Sequence, residues 1–101
     1  MSAHVTVELR HDPGGPPIRR LQPAGAHVGD LLPRFDDLAF PLLRLVDPYG
    51  ETIFSAYQMS VVLPELELLY SRTNEPILRQ TISLAEECRR TPGSCLAFLG
   101  D

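Results

Sequence analysis

The chain has 101 residues and a mass of 11.2 kDa, the size of one small domain and too little for two ordinary ones. Its 44% hydrophobic and 22% charged residues exclude wholesale disorder, and its longest apolar run is only a handful of residues, too short for a membrane-spanning helix. The net charge is −4, and the nine basic residues, all arginine, face thirteen acids, which excludes the basic face of a dedicated nucleic-acid binder.

Residues 4–10 alternate strictly, with Val5, Val7 and Leu9 on one side and His4, Thr6, Glu8 and Arg10 on the other. That pattern predicts a half-buried strand with one wet face. The run Asp12-Pro13-Gly14-Gly15-Pro16-Pro17 stops it, and residues 18–21 return as a short second strand of a loose hairpin. Residues 23–41 are less legible. Gly29 to Phe35 predicts one or two helical turns, with Asp30 as N-cap, Pro33 in the first turn, and Leu31, Leu32, Phe35 and Leu38 on the apolar side. A loop with core-plugging leucines is the competing reading.

Two strand-like runs, residues 42–46 and 52–54, flank Asp47-Pro48-Tyr49-Gly50, which has Asp, Pro and Gly where a type I turn wants them. Residues 42–54 are therefore expected to form a β-hairpin, the alternative being an ordered loop over 47–54. A helix follows from Ser60 as cap, with Val62, Leu63, Leu66, Leu69 and Tyr70 inward and Glu65, Glu67 and Arg72 outside or at the rim. An earlier start at Ser55 would place Pro64 inside the helix and kink it. Asn74 is expected to cap a second helix that has Pro76 near its first position. Its buried stripe is Leu78, Ile82, Ala85 and Cys88, widened by Ile77, Thr81 and Leu84, and Pro92-Gly93 ends it. Residues 95–99 are apolar on both faces and read as a central strand. The expected fold class is α/β in the α+β sense: one domain over residues 1–101, a mixed or largely antiparallel sheet of four to five strands, and two helices packed on one face. The terminal strands are expected to pair in the middle.

Chemistry-bearing patterns are sparse. Cys88 and Cys95 lack the paired spacing of a zinc site and read as buried reduced thiols, with a disulfide across Pro92-Gly93 as the minority reading. His11-Asp12 lacks the further ligands of a metal-dependent phosphohydrolase, and Asp30, Asp36, Asp37 and Asp47 lack the spacing of a calcium loop. Ser83 and Ser94 sit in no nucleophile elbow, and Gly14-Gly15 runs into prolines rather than opening a phosphate-binding helix. No cofactor and no metal are expected. The doublets Arg19-Arg20 and Arg89-Arg90 read as solvated faces paired with Glu86 and Glu87 rather than as one anion patch. The N-terminus lacks the apolar segment of a signal peptide, so the cytoplasm is the expected compartment.

The most distinctive stretch is residues 47–59, which places two tyrosines, a methionine, a glutamine and two acids around a turn. Tyrosine gives contact area at little entropic cost, so Asp47, Tyr49, Glu51, Tyr57 and Gln58 are the candidate protein-binding surface. The bland alternative is that Ile53, Phe54 and Met59 simply anchor a hairpin to the helices. Pro41-Leu42-Leu43-Arg44, the run Asp47-Pro48-Tyr49-Gly50-Glu51-Thr52-Ile53-Phe54, then Gln58-Met59 and the closing Phe98-Leu99-Gly100-Asp101 resemble small uncharacterised bacterial proteins of about this length. That resemblance covers about half the chain and implies no activity. Some small acidic α/β bacterial proteins neutralise toxins as immunity proteins, an analogy of size and charge.

Three functions stay open at this point. The first is a non-enzymatic binding module, adaptor or immunity-like, that meets a basic protein partner through residues 47–58 or a free strand edge. The second is a small hydrolase or ligand-binding enzyme assembled from His27, Asp47, Tyr57 and Cys95. The third is a homo-oligomeric protein, a homodimer that extends a sheet through residues 42–46.

Overall fold

A computed structural model describes residues 4–21 and 27–100. Four strands form one antiparallel sheet: β1 (Val5–Arg10), β2 (Pro17–Arg20), β3 (Glu51–Ser55) and β4 (Cys95–Gly100), in the spatial order β2-β1-β4-β3. Among the described residues three α-helices accompany it: the single turn α1 (Val28–Leu31) and the long α2 (Met59–Thr73) and α3 (Pro76–Arg90). Among the described residues no helix is long and apolar enough to cross a membrane. The α+β class, the two long helices and the central pairing of the terminal strands stand as expected. β1 runs antiparallel to β4 from Val5 opposite Gly100 to Arg10 opposite Cys95.

The strand periodicity decides what each face buries. Val5, Val7 and Leu9 share a side with Phe54, Leu96 and Phe98, and the rings of Phe54 and Phe98 meet edge to face at 5.8 Å. α3 packs onto β1 and β4 with Ile77, Leu78, Thr81, Leu84, Ala85 and Cys88 inward, and α2 lies alongside it through Val62, Leu63, Leu66 and Leu69. The helical spacing of those residues produces both stripes.

Glu8 departs from the expected wet face. It is 2% exposed, held by Arg20 through Nε–H to Oε2 at 2.6 Å and by Arg10 through Nε–H to Oε1 at 3.1 Å. Arg10 also donates to Glu51 at 3.2 Å and to the Pro13 carbonyl at 2.8 Å, so the β1–β2 turn folds back over this face. Small side chains at Cys95 and Ala97 beneath leave room for the charged layer. Burial works against the Arg10 charge, but Glu8 and Glu51 more than offset it and hold its pKa above the ordinary value.

Residues 42–46 form no strand, and the expected hairpin over 42–54 is replaced by a 3-10 turn (Leu43–Leu45) followed by a loop into β3. The reason is Glu65. Instead of lying at the rim of α2 it is 5% exposed, and its carboxylate accepts the N–H of Leu42 at 3.1 Å and of Leu43 at 2.9 Å. Those amides are thereby taken from any ladder, while Phe40, Leu43 and Val46 drop into the core.

The helix starts also differ. α2 begins at Met59, directly after a 3-10 turn (Ala56–Gln58) whose cap is Ser55: its Oγ accepts from Gln58 N–H, and the Gln58 side chain accepts from Ser55 N–H. Ser60 is thus inside the helix and Pro64 well within it. The carbonyl that Pro64 leaves without its usual helical donor belongs to Ser60, on the exposed side of the helix, so the proline is tolerated. Asn74 closes α2 rather than capping α3: it adopts φ 55° and donates its N–H to the Tyr70 carbonyl at 2.7 Å. α1 spans only Val28–Leu31, with Asp30 inside it, because Pro33 forces Leu32 into an extended conformation. Phe35 and Leu38, expected on an apolar face, are 72% and 80% exposed. The arginine doublets diverge: Arg19 pairs with Glu87 at 3.1 Å, Arg90 reaches Glu86 at 4.0 Å, and Arg20 turns to Glu8 on the opposite face of the sheet.

Candidate functional site

The turn at residues 47–50 forms as expected. The Asp47 carbonyl accepts from Gly50 N–H at 3.3 Å, its Oδ1 accepts from Tyr49 N–H at 2.9 Å, and its own N–H donates to Thr52 Oγ1 at 2.9 Å. Gly100 N–H donates to the Gly50 carbonyl at 2.7 Å and clamps the turn to the end of β4. The two backbones approach so closely there that a Cβ on Gly100 would collide with the Pro48 carbonyl.

These contacts divide the five candidate residues. Asp47 holds the turn, Gln58 caps the end of β3, and Glu51 accepts from Arg10. Tyr49 and Tyr57 are the two left facing solvent, 76% and 92% exposed. β3 lies between them, and its five residues span about 16 Å, so one chain does not bring the two rings together. Of the three anchors the bland alternative named, Phe54 and Met59 are buried, whereas Ile53 is only half-buried.

Beside the turn lies a feature that sequence reasoning missed, a cleft of about 390 Å³. It is lined by Leu32, Pro33 and Phe35 from the segment after α1 and by Arg44, Leu45, Asp47 and Pro48 from the segment before β3. Two local constraints create it. Pro33 straightens the chain after α1, and Glu65 pins the segment from which Arg44 projects. Arg44 ties the walls together: Nη1 donates to the Phe35 carbonyl at 3.1 Å, and the guanidinium lies 5.6 Å from the centre of the Phe35 ring. Its Nε is buried with no hydrogen-bond partner among the described residues. The only sequence signal was the alternation of leucines with Pro33 and Phe35, which served equally well as a helix face.

His27, Asp47, Tyr57 and Cys95 do not assemble. Asp47 lies at the Gly100 end of β4, and the His27 ring packs 4.4 Å from His4, which precedes the Val5–Gly100 pair. Tyr57 and Cys95 are at the other end, where Ser55 pairs with Cys95. β4 separates the two groups by about 17 Å. Cys88 and Cys95 are free and buried. Burial pushes the Cys88 thiol up, partly opposed by the Ser94 hydroxyl, and burial with nearby Cys88 pushes up Cys95. Both are thus held in the protonated, unreactive form. Among the described residues no group of three or more His, Cys, Asp or Glu side chains could hold a metal ion.

The chain matches no protein-family model, no curated protein and no solved structure.

Proposed function

We propose that this chain is a non-enzymatic protein-binding module of the bacterial cytoplasm, an adaptor or immunity-like protein that engages a basic partner at the cleft and Tyr49. The observation that carries the reading is the exposure of Phe35 and Tyr49 beside a concave surface whose backbone is pinned by Asp47, Arg44 and Glu65. Large aromatic side chains on a rigid frame lose little entropy on docking and concentrate binding energy. Leu45, 45% exposed, adds apolar area to the same wall.

Charge selects the partner. Asp30, Asp36 and Asp47 are exposed and Asp37 half-buried on the segments that form the walls, against Arg34 and Arg44, and Arg34 is already paired with Asp36 at 3.4 Å. An acidic balance around apolar anchors favours a basic amphipathic surface and speeds its encounter. The two buried, reduced cysteines are in keeping with a reducing compartment.

The test is affinity capture from the native host with the immobilised full chain, beside a Phe35→Ala/Tyr49→Ala variant. Both side chains are exposed, so the variant retains the fold. One stoichiometric basic protein that binds the natural chain, and binds the variant at least about 30-fold more weakly, is the expected result. Equal capture by both chains refutes the cleft. A discrete metabolite retained by the purified protein, with no protein partner, favours the ligand-binding reading instead.

A further inference from the structure

The strand β3 is an edge of the sheet, and its hydrogen-bond parity is fixed at both ends. Gly100 N–H donates to the Gly50 carbonyl and Ala56 N–H donates to the Ser94 carbonyl. Residues 50, 52, 54 and 56 therefore turn their backbone groups toward β4, and Glu51, Ile53 and Ser55 turn theirs outward. The Ser55 N–H is closed off by the Gln58 side chain at 2.8 Å, and the Ser55 carbonyl stands at the head of the 3-10 turn with a lone pair to spare. The N–H and C=O of Glu51 and Ile53 have no hydrogen-bond partner among the described residues. An open row of this kind is a template for a further strand.

We propose that the strand that completes this edge is β3 of a second copy, paired antiparallel about a two-fold axis through Ile53. The surface is self-complementary in that register. Ile53 faces Ile53 of the second copy and exchanges two hydrogen bonds with it. Each Glu51 N–H meets the Ser55 carbonyl opposite, and the missing Ser55 N–H costs only the reciprocal pair. Each Glu51 side chain then stands across from a serine. Slippage to bring Glu51 opposite Glu51 would juxtapose like charges, so register is selected as well as pairing. Continuing outward, Tyr49 of each copy comes to the end of the strand where Tyr57 of the other lies, which gives the two exposed tyrosines a common partner surface. The homodimer expected from residues 42–46 thus moves to residues 51–55, since the former segment is a 3-10 turn. Neither Ile53 nor Thr6 lines the cleft, so substitutions there test the edge apart from the cleft, although Tyr49 stands beside both.

The experiment is sedimentation velocity on the full chain over two decades of concentration from the low micromolar range, with Ile53→Lys and Ile53→Cys variants. The natural chain is expected to dimerise, and Ile53→Lys, which sets two ammonium groups against each other, to weaken the dimer by about ten-fold or more. Far-UV circular dichroism of that variant should match the natural chain. Ile53→Cys should form a disulfide-linked dimer on mild oxidation, because facing Cα atoms in such a pair lie about 5.5 Å apart, within disulfide reach. Thr6→Cys, on the central strand β1, should not. A natural chain monomeric at every concentration, a dimer that survives Ile53→Lys, or a dimeric Ile53→Cys sample that forms no cross-link on oxidation overturns the proposal.

Discussion

Glu65 offers the sharpest test of how this fold is held. Its carboxylate stands 5% exposed on α2 and serves two backbone amides across the core: Leu42 at 3.1 Å and Leu43 at 2.9 Å. Glu65→Ala removes both acceptors. A buried donor left without a partner costs about 1–3 kcal/mol; Leu43 is fully buried and should incur most of that, while half-buried Leu42 can recruit water and incur less. The alanine gains a few tenths of a kcal/mol in helix propensity. The net expectation is about 2–4 kcal/mol, a large share of the roughly 5–15 kcal/mol typical of a domain. Glu65→Gln keeps one oxygen that can accept both amides and loses only the charge assistance, about 1 kcal/mol. Urea unfolding measures both differences, and amide exchange at Leu42 and Leu43 should quicken first in the alanine variant. An alanine variant within about 0.5 kcal/mol of the natural chain, or a glutamine variant as damaged as the alanine one, would refute the capping role of Glu65.

Gly100→Ala should destabilise by about 2 kcal/mol or more, because the added Cβ meets the Pro48 backbone rather than a movable side chain; thermal melting checks this, and an unchanged melting temperature contradicts the close approach. Asn74 has φ 55°, so Asn74→Gly should be neutral to about 0.5 kcal/mol stabilising and Asn74→Ala destabilising by about 1 kcal/mol; equal melting temperatures for the two would speak against the left-handed cap. Cys88 and Cys95 have thiols pushed up by burial, so the unfolded chain loses those protons first as pH rises past about 8.5. Stability should be unaffected by them below that pH and fall above it, and the extra alkaline slope should vanish in Cys88→Ala/Cys95→Ala; identical slopes refute the assignment.

Legibility followed from how local each determinant is. β1 and the α3 stripe were readable because one period, two or about 3.6, governs each, and β4 because a short run apolar on both faces suits a central strand. The 47–50 turn was readable because Asp, Pro and Gly each do a local job there. Residues 42–46 misled because an apolar run says only that side chains are buried; what prevents a strand is the Glu65 carboxylate, far along the chain on α2. Glu8 misled for a similar reason, since Arg10 and Arg20 pair with it and Glu51, from β3, holds Arg10 in place. Of the five candidate surface residues, Tyr49 and Tyr57 face solvent, whereas Asp47, Glu51 and Gln58 are committed to internal bonds that only the tertiary arrangement reveals.

The central β1–β4 pair has a kinetic meaning on the ribosome. Its partners lie about ninety residues apart, so at ordinary elongation rates of about 5–20 residues per second β1 exists for roughly 5–20 s before β4 is made. In that interval the β1–β2 hairpin and both helices can form, yet Val7 and Leu9 have no Phe98 or Leu96 beside them and the sheet has no middle. Nascent chains should therefore stay protease-sensitive and chaperone-bound until the last strand clears the exit tunnel, and then become resistant in one step.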